Sequence, residues 1–451
     1  TGYRGHPLLK TPHLDGMAAA GLRFERFYAG GPVCSPTRAT VLTGQTHDRC
    51  GTLSHGYALR RQEKTLAQAL ASAGYLTAHF GKWHLNGLAG PGVPVLAQDE
   101  YHPGVFGFQE WVSASNYFDR DPLLGRRGHI EQFHGDSSEV IVAEAIRFLR
   151  EHRDRGRPMF AVIWYGSPHS PWRAAPEDTA PFQKLDSGSA QHHGEIVAMD
   201  RSLGALRAAL RELGLADDTM LVFCSDNGGL PRIQPDTVGG LRGHKGSLYE
   251  GGIRVPAIIE WPAAIRPRVT RFPACTMDLA PTVAEIVGLP SDAFLQPLDG
   301  ISLVPLFERE LESRPKPIGF RFEKQAAWVD NRWKLVLPNY PAGSAELYDL
   351  ESDPAERLDR SREQPMLVER MKLELLRWLA SVEASFAGRD YPEGRLTQPD
   401  PPRTHWKDSP LYQPYLDQWR KRWEYANVLS GNTQPAAGTR RRAAAAPRVT
   451  P

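Results

Sequence analysis

Through roughly the first two-thirds of the chain, apolar residues at helical spacing alternate with short continuous apolar runs, and each run ends in a polar loop. The spacing predicts a helix over 65–73 closed by Gly74, a strand over 75–80, and then the loop Gly81-Lys82-Trp83-His84. Val142, Ala145, Ile146 and Leu149 share one helical face, and an apolar strand over 159–165 runs into Ser167-Pro168-His169-Ser170-Pro171. Ile196, Met199, Leu203, Leu206, Leu210 and Leu213 form one long stripe, and a strand over 220–224 leads straight into Ser225-Asp226-Asn227-Gly228-Gly229. This repeated order argues a parallel α/β sheet. Ligands of such sheets gather beyond the carboxyl ends of the strands, so loops far apart in sequence can meet in one crevice.

Beyond Leu306 the segments shorten: 328–337 and 346–350 read as strands and Pro365–Phe386 as a helix. The expected organisation is therefore an α/β domain over 1–306, a smaller α+β subdomain over 307–397, and an extension rich in Pro and aromatics over 398–430. An unstructured tail over 431–451, carrying Arg440-Arg441-Arg442, completes it. Composition supports a globular chain: 41% of the 451 residues are hydrophobic and 24% charged, and no apolar run approaches the length of a membrane span. A formal charge of +2 is too balanced for a nucleic-acid binder, so an anionic substrate needs a local cluster of cations. Cys34, Cys50, Cys224 and Cys275 are too few and too scattered for a disulfide scaffold or a paired-cysteine zinc site, and Cys224, ending an apolar run, reads as a core residue. The opening Thr1-Gly2-Tyr3-Arg4-Gly5 has neither the charged nor the apolar region of a signal peptide.

Val33-Cys34-Ser35-Pro36-Thr37-Arg38 places a cysteine just before a proline that suits the first position of a helix. Cys34 then sits at a helix N-terminus, where free N–H groups and the macrodipole favour an anion, and Arg38 lies one turn on. Asp226-Asn227-Gly228 is by itself a turn signal, and Lys82 and Lys245 by themselves are ordinary surface lysines. Together, and in this order, they carry more.

Cys34-Ser35-Pro36-Thr37-Arg38 with Leu42-Thr43-Gly44 resembles the Cys-x-Pro-x-Arg signature of the formylglycine-dependent sulfatases. Gly5-His6-Pro7 with Lys10-Thr11-Pro12-His13-Leu14-Asp15, Gly81-Lys82-Trp83-His84, Ser167-Pro168-His169 and Ser225 to Gly229 are similar to further motifs of that family. So are Gly243-His244-Lys245-Gly246 with Tyr249-Glu250-Gly251-Gly252, and Glu346-Leu347-Tyr348-Asp349-Leu350 with Asp353-Pro354. Gly107-Phe108-Gln109-Glu110-Trp111 and Asn116-Tyr117-Phe118-Asp119 resemble the N-acetylgalactosamine-6-sulfatase-like group, which implies a sulfated carbohydrate as substrate.

The resemblance implies an alkaline-phosphatase-like sandwich, a mostly parallel central sheet flanked by helices, with a smaller C-terminal α+β subdomain. It implies that a formylglycine-generating or sulfatase-maturating enzyme oxidises Cys34. A hydrated aldehyde carries two hydroxyls on one carbon, one to attack sulfur and one whose deprotonation later expels sulfate. A sulfate ester spreads one negative charge over three oxygens, and Arg38, Lys82, His84, His169 and Lys245 are the cations expected around it. By resemblance His169 and Lys245 face the leaving oxygen and His84 assists the hydrate. A divalent cation, calcium in most of the family, is expected on Cys34 in its oxidised form, Asp226 and Asn227. The family also places an Asp-Asp metal-binding pair at the end of a first strand, shortly before the segment that begins here at Thr1, so that strand and pair are expected to lie outside this sequence. Glu250 is a candidate replacement for the pair. Two rivals stand beside this reading: a phosphodiesterase or phosphonate monoester hydrolase of the same superfamily, and a sulfoglycan-binding protein without turnover. A periplasmic or secreted location, no membrane span and no nucleic-acid partner complete the expectations.

Overall fold

In the computed structural model residues 1–430 are described, and the tail expected over 431–451 lies outside them. In chain order come α1 (Pro12–Ala20), β1 (Leu22–Tyr28), α2 (Cys34–Thr43), α3 (Leu66–Ser72), β2 (Leu76–Lys82), a two-residue β3 (Leu88–Ala89), β4 (Glu110–Ala114), β5 (Leu123–Arg126) and β6 (His129–Gln132). Next are α4 (Ser137–His152), β7 (Met159–Trp164), a one-turn α5 (Pro176–Thr179), α6 (Ser187–Glu212), β8 (Leu221–Cys224), α7 (Glu250–Ile253) and β9 (Arg254–Glu260). Then follow β10 (Arg268–Thr270), β11 (Ala274–Cys275), α8 (Leu279–Val287), α9 (Pro305–Glu308), β12 (Ile318–Phe322), β13 (Gln325–Asp330), β14 (Trp333–Leu337), β15 (Glu346–Asp349), α10 (Pro365–Phe386), β16 (Thr404–His405), α11 (Leu416–Trp419) and α12 (Trp423–Leu429).

The helices start where side chains can take the free N–H groups of a first turn. Thr65 and Gln68 form a capping box on α3, Asp136 accepts from Ser138 and Glu139 ahead of α4, and Asp186 accepts from Ser189 ahead of α6. One five-stranded sheet runs β10-β1-β9-β8 with β11 also on β1, and the other runs β6-β5-β4-β2-β7. Parallel pairing joins β1 to β10 and β11 and joins β2 to β4 and β7; the remaining pairs of these sheets are antiparallel. β7 and β8 are each the edge of a sheet. The stripe of α6 serves both sheets: Leu206 and Leu210 join the core of Phe80, Val112, Ile141 and Phe148, while Met199 and Leu203 join Leu14, Met17 and Ile258.

The antiparallel sheet β12-β13-β14-β15 packs on α10, with Ala326, Leu335 and Leu347 against Met371, Leu375 and Leu379. The single strand expected over 328–337 is two strands. A hairpin turns at Asn331-Arg332, where Asn331 adopts φ 50°, and Asp330 pairs with Trp333. Asparagine tolerates that left-handed conformation, so a turn forms with no glycine to announce it. Compact units divide at Thr404–His405. In the second unit, Trp406, Tyr412, Trp419 and Tyr425 pack ring against ring. Among the described residues no helix is long and apolar enough to cross a membrane.

Candidate active site

β1 delivers the chain to a tight loop before α2. Gly31 has no room for a side chain, since a Cβ there would lie 2.7 Å from Pro36, and its N–H donates to Thr37 Oγ1 at 3.1 Å. The helix then begins at Cys34 itself. Pro36 therefore stands in the third position rather than the expected first, where its missing N–H is still one of those without a partner inside the helix. Cys34 is 3% exposed, and its thiol occupies the place that the resemblance gives to formylglycine.

Arg38, one turn along, holds the other loops together. Its guanidinium donates to the Lys82 carbonyl at 2.6 Å and to Asp226 Oδ2 at 2.8 Å, and it lies 4.8 Å from the ring centre of Trp164. The ends of β2, β7 and β8 thus converge on one side chain, as the strand-end argument anticipated. Burial works against the Asp226 carboxylate, but Arg38, Lys82 and Lys245 outweigh it and hold the group well below the usual carboxylate range. Burial, aided by Arg38 and Lys245, brings the Lys82 ammonium down to about 8 against the pull of Cys34 and Asp226.

Lys245 reaches the same point from a loop. Its N–H donates to the Gly229 carbonyl at 3.0 Å and that of Gly246 to the Pro32 carbonyl at 2.9 Å. Its ammonium donates to Cys34 Sγ at 3.5 Å, and the thiol faces Asn227 Oδ1 at 3.5 Å. His84 is buried, with φ 56° and an Nδ1 that has no partner among the described residues. Burial, then Lys82, Arg38 and His169, push its imidazole well below the ordinary value, so it is neutral at neutral pH. His169 stacks on Tyr117 at 4.4 Å, its Nδ1 2.7 Å from the Ser170 carbonyl. Burial and the charges of Lys245 and Lys82 keep it neutral too. With Nδ1–H donating to Ser170, Nε2 is left as an acceptor.

Of the residues expected from the sequence, contacts bring together Cys34, Arg38, the Lys82 backbone, Asp226, Asn227 and Lys245, and His84 and His169 lie near enough to feel the charge of Lys82. Glu250 does not join them. It is buried beneath Lys334, which donates to it at 2.9 Å, and Tyr28 donates to its other oxygen at 3.2 Å. Sequence reasoning passed over Trp164 beneath Arg38 and the stacking role of Tyr117. It also passed over Ser35, whose Oγ accepts from Gly56 N–H at 2.9 Å, and over His55 beside that contact. Of these, only Tyr117, in the 116–119 segment, and Ser35, inside the 34–38 motif, stood in motifs that the sequence singled out.

Calcium gathers about six to eight oxygens, commonly from several carboxylates. Asp226 offers one carboxylate, already engaged by Arg38, and Asn227 one amide oxygen. No group of three His, Cys, Asp or Glu suited to a metal occurs among the described residues. By themselves, then, the donors present do not make a calcium site.

A family profile described as Sulfatase matches residues 1–289. The chain belongs to the sulfatase family. A second profile, the C-terminal part of N-sulphoglucosamine sulphohydrolase, matches 243–380. Bovine arylsulfatase A is 33% identical over 344 residues, 68% of this chain and 64% of that protein. Human N-acetylgalactosamine-6-sulfatase is 30% identical over 361 residues, 70% and 64% of the respective chains. The chain therefore spans about 64% of the length of the curated relatives it matches. Among solved structures, Ps i-CgsB in complex with k-i-k-neocarrahexaose has a TM-score of 0.73 at 26% identity, covering 84% of this chain and 89% of that one. The phosphonate monoester hydrolase of Agrobacterium radiobacter shares the fold, with a TM-score of 0.60 at 20% identity over 88% of this chain and 97% of that one.

Proposed function

We propose that the pocket around Cys34 hydrolyses a sulfate ester, taking up water and releasing an alcohol and inorganic sulfate, with a sulfated carbohydrate as the substrate. The observation that carries this reading is the placement of Cys34 at the start of α2, with Lys245 3.5 Å from its sulfur and Arg38 and Lys82 buried behind it. Those cations, with the N–H groups of the first turn, match the negative oxygens of a sulfate. Oxidation of Cys34 to formylglycine by a maturation enzyme would supply a hydrated aldehyde in place of the thiol, an oxygen nucleophile for sulfur that can later release sulfate.

Around it, Arg38 and Lys82 hold the sulfate charge, and Lys245, on a separate loop, stands against the reacting atom. His169 passes a proton to the leaving alcohol once the sulfate charge has raised its basicity, and His84 serves the nucleophile. Asp226 and Asn227 are this chain's contribution to a divalent-cation site, and no step rests on that ion. The relatives named N-acetylgalactosamine-6-sulfatase support a sugar sulfate, and family resemblance alone supports a periplasmic or secreted location.

The test is release of inorganic sulfate from aryl and sugar sulfates by protein made with a maturation enzyme, against the Cys34→Ala variant. Turnover of phosphate or phosphonate esters in preference to sulfates would favour the phosphonate hydrolase reading, and binding without turnover would favour the sulfoglycan-binding one.

A further inference from the structure

Ser35, the residue after Cys34, fixes a second segment against the pocket. Its buried Oγ accepts the Gly56 N–H at 2.9 Å, so His55, one residue earlier, is held within a few ångströms of the start of α2. His55 opens to solvent on one side. Its partial burial, followed by the charges of Lys245, Arg403 and Lys82, pushes its imidazole down to about 4. At neutral pH it is therefore an uncharged hydrogen-bonding group close enough to Lys245, Arg403 and Lys82 to feel their charges.

Gly56 leaves the space that Arg403 occupies: a Cβ there would sit 3.0 Å from Arg403 Nε and 3.3 Å from the Leu88 carbonyl, and Gly56 has φ 76°. The segment carrying Arg403 is anchored on both sides. Arg60 donates to both oxygens of Asp400 at 2.6 and 2.8 Å, Arg61 donates to Gln398 at 2.6 Å, and Thr404 N–H donates to the Gly87 carbonyl at 2.9 Å. Pro401 and Pro402 stiffen the stretch between these anchors. Arg403 is exposed and, among the described residues, has neither an ion pair nor a hydrogen bond. A guanidinium carried on an anchored segment and free of partners is available to bind an oxyanion through its planar fork.

We propose that Arg403, assisted by His55, binds a second anionic group of the substrate at the mouth of the pocket, so that the substrate class is a sugar bearing a further sulfate or carboxylate near the ester that is cleaved. This rests on the reading of the Cys34 pocket as the place where the sulfate ester binds.

The experiment compares the wild type with Arg403→Gln and His55→Gln on nitrophenyl sulfate, on a monosulfated amino sugar, on the same sugar with a second sulfate, and on that sugar linked to a uronic acid. Arg403→Gln removes a charge-assisted bidentate pair of hydrogen bonds from the recognition site. It should raise KM about tenfold on the doubly anionic substrates, with kcat and the nitrophenyl sulfate rate unchanged. Which of the two doubly anionic sugars shows the larger rise distinguishes sulfate from carboxylate. His55→Gln, which keeps a hydrogen-bonding side chain, should show a smaller rise in the same direction. Equal losses on all substrates, or none on the doubly anionic ones, would overturn the inference. Calorimetric binding of the mono- and disulfated sugars to Cys34→Ala, with and without Arg403→Gln, reads the same preference without turnover. If the wild type released sulfate from nothing, the hydrolase reading would fail while this binding preference still decided the role of Arg403.

Discussion

Arg38 donates to Asp226 at 2.8 Å, a buried guanidinium on a carboxylate from a strand end 188 residues further along the chain. The same guanidinium donates to the Lys82 carbonyl and lies over Trp164, so it ties three strand ends together, and the proposed reaction gives it the sulfate charge as well. Lysine keeps the charge but cannot make both contacts from one planar group. Arg38→Lys is expected to lower kcat/KM for sulfate esters by about a hundredfold or more while circular dichroism shows the fold retained. A variant with near-normal kcat/KM would show that the planar geometry is dispensable.

Cys34 lies 3.5 Å from Lys245 at the start of α2, and the proposed reaction makes its oxidised form the nucleophile. Protein made with a maturation enzyme should carry an aldehyde at Cys34, seen by peptide mass spectrometry and hydrazide labelling, and Cys34→Ala should abolish turnover. Full sulfatase activity in a sample whose Cys34 is entirely thiol would remove it as the nucleophile.

His169 is neutral in the free pocket and stacked on Tyr117, which defines its ring plane, and the proposed reaction has it serve the leaving oxygen. General acids matter most for poor leaving groups. His169→Ala should therefore slow hydrolysis of a sugar sulfate about tenfold more than that of nitrocatechol sulfate. Equal losses on the two would leave it as a sulfate binder only.

Glu63 is buried against Tyr391, whose hydroxyl donates to it, and its second oxygen has no partner among the described residues. Burial raises its carboxyl to about 7 although Tyr391 and Arg60 pull the other way. Between pH 4.5 and 7 the folded chain keeps a proton there that the unfolded chain releases, so stability falls as pH rises through that window. Glu63→Gln mimics the protonated form and should lack that loss. In urea unfolding, the variant should gain on the wild type between pH 5 and 7.5 by up to about 3 kcal/mol. A constant difference across that range would mean that Glu63 is ionised throughout.

Much of the pocket could be read from local order. The 3.6-residue period marks α10 and α6, and the apolar runs mark β2, β7 and β8 to within a residue or two. Because polar motifs follow those runs directly, Lys82, His169 and Asp226 could be assigned to strand ends. Where local signals are weak the reading slipped. Trp328 to Leu337 is apolar on both sides of Asn331-Arg332, so one long strand and a hairpin look alike until cross-strand pairing separates them. Pro36 fits both the first and the third helical position, because neither needs its N–H.

Residue kinds and their order along the chain settle which groups the pocket can draw on, since helix starts and strand ends follow from neighbours a few residues apart. They do not settle which groups touch. Glu250 and Asp226 are both acidic residues within two positions of a glycine pair, yet one is committed to Lys334 in the core and the other to Arg38 in the pocket. Arg403 reaches Gly56 although nearly 350 residues of chain separate them, and no local pattern marks it. Such pairings depend on how sheets and loops pack around a common core, where burial makes each charge seek its own partner.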